Sequence, residues 1–595
     1  MAADEARELL VLYGSQTGYA EDTARRIGRL LWRRHFSTTV QAMDQCDRQQ
    51  LFTQADKPCP VAIFICSTTG QGDEPDNMRR FWRLLLRKSL PADALEGLQV
   101  AVFGMGDSSY DGFNFAAKRL YRRLVQLGAR PLVPRGDGDD QHYLGPDGAL
   151  DPWLDGLWTA LEARWPMPRP AVADDVVPAP AFSVQLVNES SPGSGSGAED
   201  MNMRTAAESE SRGVFEAELV ANERLTAPGH FQDVRRLAFQ PLRADVEWQA
   251  GDCAVLRPSN DAETVERFLE LTGWHTLADA PLAVSGTQLP YWVPRSTTLR
   301  WLATHYLDVT SVPRRSFFEM LAYFSPHQDE REKLREFSSA AGQDDLQTYC
   351  MRPRRTLLES LADFPNSQKS IPLAYALDVF PAIAERSFSI SSAQGIVDLT
   401  VAIVHYRTIM QVPRTGLCTR WMSAMRCGDR VQMRIARGTM HLPEDPETPV
   451  IMVGPGTGIA AFMAFIHKRV LQGARANHLF FGCRGQHSDY LYRGQLLKWV
   501  EDGWLHLYCA FSRDDPERKD YVQNRIEENA AVVWHLIGED QATVYVSGNA
   551  NRMPQDVRQA FVAAIAGSSG MDHEQASAYV RAMEKQRRYQ EECWY

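Results

Sequence analysis

The sequence predicts a multidomain α/β protein, on three observations. Near both ends, short apolar strands run directly into glycine- and hydroxyl-rich loops that open helices, the layout of parallel sheets that bind nucleotides. A stretch rich in Pro, Ser and Gly separates the first of these sheets from the rest. The length, 595 residues, suits about three or four domains with cores of their own.

Composition narrows the partners. With 44% apolar residues, 23% charged and a net charge of −11, the chain is globular and mildly acidic. No basic block invites nucleic acid. No apolar run approaches the ~20 residues of a membrane helix, so no membrane partner is expected. The first eight residues lack the basic-then-apolar layout of a secretion signal. Ten cysteines are scattered without a Cys-x-x-Cys or a Cys/His cluster at metal spacing, which predicts reduced thiols in a cytoplasmic setting and no metal site.

Residues 9–13 form an apolar strand, followed by Ser15, Gln16, Thr17, Gly18, Tyr19 and Ala20 and then a helical pattern over 21–32. The loop is neither a P-loop nor Gly-x-Gly-x-x-Gly. Hydroxyls in place of a Lys suit a terminal monophosphate held by hydrogen bonds at a helix N-terminus. A plain strand–helix turn is the alternative. Strand 61–66 leads into Ser67, Thr68, Thr69 and Gly70. Strand 100–103 leads into Met105, Gly106, Asp107, Ser108, Ser109, Tyr110, Asp111, Gly112, Phe113 and Asn114. Ligands sit outside the carboxyl ends of such strands, so three loops can converge on one molecule. From about residue 165 to 210 the pattern dissolves into a flexible linker.

Strands resume near Phe215, with helical patterns between about 260 and 370, and resume again at Arg354-Arg355-Thr356. Arg386, Ser387, Phe388 and Ser389, with Gly416, Leu417, Cys418 and Thr419 downstream, look like two edges of a flavin site. An Arg, an aromatic and hydroxyls can hold a diphosphate, cover a flat ring and hydrogen-bond its edge, while a Gly turn brings N–H groups to phosphate. A polar edge strand is the alternative. A buried-type strand then opens into Gly454-Pro455-Gly456-Thr457-Gly458 and a helix. Ser512 and Arg513, with Lys519, Tyr521 and Gln523, supply cationic and hydroxyl partners for a 2′-phosphate, where an NAD ribose is met by a carboxylate. Surface Arg and Lys at a solvated helix start is the alternative.

These motifs, in this order, resemble the NADPH-dependent diflavin reductases over nearly the whole chain outside the linker. The resemblance implies a flavodoxin-like FMN domain (1–164), a linker (165–210), a ferredoxin-reductase-like FAD barrel with a helical insert (211–445, insert about 260–370) and a Rossmann-like NADP-binding domain (446–595). It implies that 15–20 hold the FMN phosphate, that 67–70 and 105–114 flank the ring with Tyr110 stacked, and that Asp140 closes the site. Many relatives carry an aromatic where this chain has Thr69. Arg354 and Arg386 then meet the FAD pyrophosphate or adenine end, residues 416–419 support the pyrophosphate, Phe388 covers the ring and Ser389 bonds its N5. Thr457 and Asp556 join the coenzyme residues. Cys483, Ser389 and Glu592 surround hydride transfer, and Trp594 lies over the flavin face that nicotinamide must reach. The implied electron path runs from NADPH through FAD and FMN to a one-electron acceptor, an anamorsin-like iron–sulfur protein of cytosolic iron–sulfur cluster assembly. The rival acceptors are a P450-like haem protein and sulfite reductase, and a scaffold without flavins is the rival from another class.

Overall fold

A computed structural model describes residues 7–47, 51, 61–70, 72–110, 112–187, 211–286 and 288–594. The chain divides into two compact units. The first takes the described parts of 1–202 with 260–384 and 408–410, and the second those of 203–259, 385–407 and 411–595.

The first unit is built on a parallel sheet of β1 (Glu8–Gly14), β2 (Ser37–Ala42), β3 (Val61–Ser67), β4 (Gln99–Gly106), β5 (Arg130–Pro131) and β6 (Gly136–Asp139). The order is β2-β1-β3-β4-β5, with β6 also on β4. Helices cover both faces, so β3 and β4 are continuous apolar runs rather than alternating ones. Helices Tyr19–Arg33 and Asp147–Arg164 supply one buried layer, and Arg79–Leu85 and Phe115–Gln126 the other.

By its contacts the helical insert packs in this first unit. Its helices run to Val379, past the expected end near 370, around a core that includes Phe268, Phe318, Leu334 and Phe380. The strand expected to resume at Arg354 does not form. Thr356 instead caps the helix Leu357–Asp363 in a capping box with Glu359, a Thr-x-x-Glu signature that the sequence contains.

The expected linker is also partly fastened. Strand β7 (Ser183–Leu186) pairs with β11 (Pro281–Ser285), which pairs with β12 (Ser296–Thr298), the strands being numbered along the whole chain. Phe182 and Val184 are buried in the insert's core, an alternation hidden by the Pro- and Ala-rich sequence before it. Residues 188–210 of the expected linker lie outside the described residues.

Charged side chains join the parallel sheet's helices to the insert. Arg315 is 3% exposed at its side chain and bonds Asp147 at 3.1 Å and Asp151 at 2.9 Å. Arg29 makes a two-pronged contact with Glu319, at 3.2 and 2.7 Å. Burial works against the Glu319 charge, yet Arg29, Arg26 and Arg33 together hold its carboxyl below the ordinary value.

The second unit begins with an antiparallel sheet of β8 (Val214–Arg224), β9 (Val234–Pro241), β10 (Cys253–Leu256), β13 (Arg386–Ser389), β14 (Val397–Ala402) and β17 (Arg430–Ala436). The order is β13-β10-β17-β8-β9-β14, and the two edges meet through a bridge between Ile390 and Leu399. That bridge closes the sheet into a barrel. Short strands β15 (His405–Tyr406) and β16 (Arg414–Thr415) pair and lead into the helix Leu417–Ala424. A second, parallel sheet follows: β18 (Val450–Val453), β19 (Asn477–Cys483), β20 (His506–Phe511), β21 (Thr543–Asn549) and β22 (Tyr589–Trp594), ordered β20-β19-β18-β21-β22. Barrel and sheet share a buried cluster, in which Val234 joins Met440, Phe462 and Phe465.

Replacing Arg315 by Met should expose how much the first unit depends on its buried ion pairs. Two carboxylates would lose their nearer cation, keeping only Arg26 at 3.8 and 3.7 Å, and with Asp151 partly solvated the cost should be about 3 kcal/mol. Denaturant unfolding followed on the first unit's transition measures it. A loss within the scatter of a surface substitution would mean that solvent already screens the cluster.

Candidate cofactor and coenzyme sites

In the first unit, three loops leave the carboxyl ends of β1, β3 and β4, as the sequence predicts. The Ser15 N–H donates to Asn77 at 2.8 Å and the Gly18 N–H to the Ser15 hydroxyl at 3.0 Å, so the first loop curls on itself, and the helix Tyr19–Arg33 that it opens has no side-chain cap. Gln16 and Asp76 are joined by two bonds, at 3.2 and 3.0 Å. From the insert, Arg314 donates to the Gly18 carbonyl at 2.6 Å and the Thr17 carbonyl at 3.1 Å. It also lies over the Tyr19 ring, whose hydroxyl donates to Asp147 at 3.2 Å. The Tyr19 side chain therefore serves the packing with the insert, and only its backbone stays with the loop. Ala20 is buried beneath.

In the second loop, the Ser67 hydroxyl ties back to the Gly14 carbonyl at 3.2 Å, and the Thr68 N–H to that of Met105 at 3.0 Å. Thr69 closes a tight turn with Asp73 across Gly70. In the third, Asp107 accepts from the N–H and the hydroxyl of Ser109 at 2.8 and 2.6 Å. Asp139 accepts from the Ser108 N–H at 2.9 Å. The Asp140 N–H reaches the Gly106 carbonyl at 2.8 Å, which brings that carboxyl to the loops. Burial, then Asp107 and Asp139, push Asp140 up to about 6, opposed by Arg354. Arg354 thus stands in the first unit beside Asp140, while the other expected FAD residues lie in the second. Tyr110, Gly112 and Phe113 continue the turn to Asn114, which starts the helix Phe115–Gln126 in a left-handed conformation. Asp111 lies outside the described residues. Thr68 Oγ1 and Asn114 Oδ1 are buried without a hydrogen-bond partner among the described residues. Two orphan polar atoms, together with the helix N-terminus at Tyr19 that no side chain caps, fit a ligand with a polar ring edge and a phosphate.

In the second unit, β13 pairs with β10 in a register that sets Ser389 beside Cys253, Phe388 beside Ala254, Ser387 beside Val255 and Arg386 beside Leu256. Gly416 caps the helix Leu417–Ala424, whose first N–H groups have no intrahelical partner to accept them. The Thr419 hydroxyl accepts from the Val404 N–H at 3.1 Å and holds the cap in place. Burial pushes the Cys418 thiol up to about 12, opposed by the charge of Arg386. The charge of Arg386 is thus felt in the first turn of this helix, where a cation and uncapped N–H groups suit a pyrophosphate.

At the parallel sheet, Thr457 sits in the tight turn Gly456–Gly458 after β18. A Cβ on Gly458 would stand 2.0 Å from the Ser547 carbonyl oxygen, so only glycine lets this loop lie on β21. Ser512 is anchored to the Cys483 carbonyl through its N–H at 3.0 Å and its hydroxyl at 3.4 Å. Nearby carboxylates are already engaged: Asp514 by the Gln486 N–H, Asp515 by the Glu517 N–H and Asp520 by Arg525. Arg513 and Lys519 remain exposed. Tyr521 and Gln523 begin the helix Val522–Glu528, and Asp556 lies in the first turn of Met553–Ser569.

Glu592 and Ser389 are brought together. The Ser389 hydroxyl donates to Glu592 Oε1 at 3.2 Å, while Thr439 donates to Oε2 through its hydroxyl at 2.6 Å and its N–H at 3.4 Å. The Cys253 thiol belongs to this cluster: burial and then Glu592 push it up to about 12, opposed by a Ser389 hydrogen bond. Cys483 ends β19. Its thiol is buried and directed to the Gly485 carbonyl at 3.8 Å, its pKa raised by burial and by Asp489 and Cys509. Strand β19 ends in the loop that serves Ser512, which is why the thiol stays there. The hydroxyl next to Glu592 on β21 is Ser547, its register partner, fully buried and with Oγ unpaired among the described residues. The sequence reading passed over Ser547 because Val-Tyr-Val-Ser-Gly reads as the end of a strand. It also passed over Thr439, Asn77 and Arg314, whose roles depend on long-range contacts. Trp594, 38% exposed, ends β22 opposite Asn549. Among the described residues, no group of His, Cys, Asp and Glu could hold a metal ion.

Comparisons with known proteins agree with this layout. The flavodoxin family model matches residues 11–153, the FAD binding domain 207–421 and the oxidoreductase NAD-binding domain 452–559. Proteins bearing the name NADPH-dependent diflavin oxidoreductase 1 match along their whole length. That of Danio rerio is 43% identical over 98% of this chain and 99% of its own. That of Xenopus laevis is 42% identical, over 99% of each. That of Schizosaccharomyces pombe is 41% identical, over 98% of this chain and 99% of its own.

Two outcomes follow from the site's electrostatics. Arg513→Ala removes a cation from the coenzyme loop, and a lost charge-assisted bond of about 1.5–3 kcal/mol should cut kcat/KM for NADPH about ten-fold or more. NADH should be nearly unaffected in the same steady-state assay. Equal losses would make Arg513 structural. Asp140, with its folded pKa raised, costs stability while ionised, and that cost starts to shrink as pH falls below about 6 and is gone only below the unfolded value of 3.8. Asp140→Asn should therefore raise Tm most at pH 8, by less at pH 5, and hardly at all at about pH 3. A pH-independent difference would contradict the assigned shift.

Proposed function

The chain belongs to the NADPH-dependent diflavin oxidoreductases, enzymes that use FMN, FAD and NADPH, and on that premise we propose that its electrons leave one at a time for an iron–sulfur protein. The acceptor is of the anamorsin kind, and the setting is cytosolic iron–sulfur cluster assembly. When bound, FAD would supply a hydride acceptor for NADPH and FMN a one-electron exit.

The protein's part is position and electrostatics. Arg386 and the N-terminus of Leu417–Ala424 hold the FAD pyrophosphate, Phe388 covers the ring, and Ser389 presents its hydroxyl to the ring edge. The observation that carries this reading is the Ser389–Glu592 hydrogen bond of 3.2 Å, which joins the flavin strand to the last strand of the coenzyme sheet. The glycine turn of 454–458 receives the coenzyme's pyrophosphate, while Ser512, Arg513, Lys519 and Tyr521 receive its 2′-phosphate. Trp594 would cover the flavin face and would have to give way to nicotinamide. In the first unit, the N–H groups of 15–20 hold the FMN phosphate, Thr68 and Asn114 meet the ring's polar edge, and Tyr110 stacks on it. Nine free cysteines among the described residues suit the reducing cytoplasm. Among those residues no helix is long and apolar enough to cross a membrane.

Mixing the full chain and NADPH with a purified anamorsin-type iron–sulfur protein should reduce the cluster stoichiometrically, faster than a P450-type haem protein or a sulfite reductase haem subunit. Faster haem reduction would transfer the assignment to that acceptor. Trp594→Ser gives up a stacked contact of ~0.5–1.5 kcal/mol that only a firmly held coenzyme can displace. NADH-driven activity should rise far more than NADPH-driven activity. An unchanged coenzyme preference would show that Trp594 does not gate the flavin.

A further inference from the structure

Strand β22 alternates in its contacts. Tyr589 and Cys593 face the helices of the parallel sheet, and Glu591 lies 3.5 Å from Arg558 on the same side. Gln590, Glu592 and Trp594 share the opposite face. Two of these three are tied to one short segment, residues 439–441, between the barrel and β18. Gln590 Oε1 accepts from the His441 N–H at 2.8 Å, and Gln590 Nε2 donates to the His441 carbonyl at 3.2 Å. One residue pair further on, Glu592 Oε2 accepts from the Thr439 hydroxyl and N–H. The segment is itself fixed from the barrel side. The Gly438 N–H donates to the buried Asp252 carboxylate at 3.3 Å, and a Cβ on Gly438 would stand 1.7 Å from the Gly251 carbonyl oxygen. The next residue on the same face of β22 is Trp594.

We propose that Thr439 and Gln590 are positioning residues for hydride transfer, forming a clasp that fixes Glu592 against Ser389 and sets where Trp594 stands. The inference rests on the reading of Ser389, Glu592 and Trp594 as the transfer site. Thr439 acts through Glu592: with Oε2 engaged by two donors, Oε1 is left to receive the Ser389 hydroxyl and fix its direction. Gln590 acts as a side-chain extension of the sheet, pairing with the His441 backbone as another strand would. Neither residue donates or accepts the hydride.

The test uses the full chain loaded with both flavins. In Gln590→Leu, hydrogen exchange of the His441 amide should quicken about ten-fold, as expected for loss of its side-chain acceptor, while amides of β17 keep their protection. In Thr439→Val, single-turnover FAD reduction at saturating NADPH should slow about ten-fold with KM little changed. Thr439→Ser, which keeps the hydroxyl, should restore most of the rate. Unchanged exchange at His441 would overturn the clasp. A Val variant as fast as the parent, or a Ser variant as slow as Val, would overturn the positioning role of Thr439. Glu592→Gln separates the two claims: if it leaves the rate intact while exchange behaves as expected, the assignment of Glu592 to transfer fails and the clasp is scaffold alone.

Discussion

The carboxylate of Glu592 is the constraint on which the second unit's chemistry depends. It accepts from Ser389 on a barrel strand and from Thr439 on the connection leaving the barrel, while its own strand pairs with β21 of the coenzyme sheet. The carboxylate is half-buried with both oxygens bonded, and on the proposed reading its donors set where a flavin edge and a nicotinamide meet. The parallel ladder sets Ser547 beside Glu592, so a further hydroxyl stands at the same place. Barrel, coenzyme loop and terminal strand are thereby held in register by one acidic side chain.

The first unit solves a different problem. Its loops present N–H groups and orphan polar atoms at the ends of three strands, and such loops need rigid support. Asn77, Asp76 and Asp139 brace them from within the sheet domain, and Arg314 braces the first loop from the helical insert. Arg315, Arg29 and their carboxylates carry the same contact deeper, as hydrogen-bonded pairs with little exposure. Since Arg314 bonds the carbonyls of Thr17 and Gly18, the insert bears directly on the phosphate loop.

The sequence was most legible where local chemistry decides. Strand-then-glycine-loop patterns located β1, β3 and β18 within a residue and β4 within three. Legibility failed where partners are distant in sequence. Phe182 and Val184 alternate for only a few residues inside Pro-rich sequence, so the pairing of β7 with β11 gave no usable periodicity. Arg354 in Arg-Arg-Thr reads as a strand entry until Thr356 is seen to cap a helix. Cys483 stands at a strand end like a catalytic thiol, but its strand leads to the coenzyme loop, and Ser547 two strands away holds the place beside Glu592. No pattern in Thr439 marks it, because its meaning lies in residue 592.

The central claim is that two flavin sites act in series, with the FMN loops as the exit. It is tested most directly by stripping FMN from the full chain while keeping FAD, and following NADPH-driven reduction of ferricyanide and of a one-electron protein acceptor. Ferricyanide reduction should persist, acceptor reduction should stop, and added FMN should restore it. Undiminished acceptor reduction without FMN would contradict the serial path.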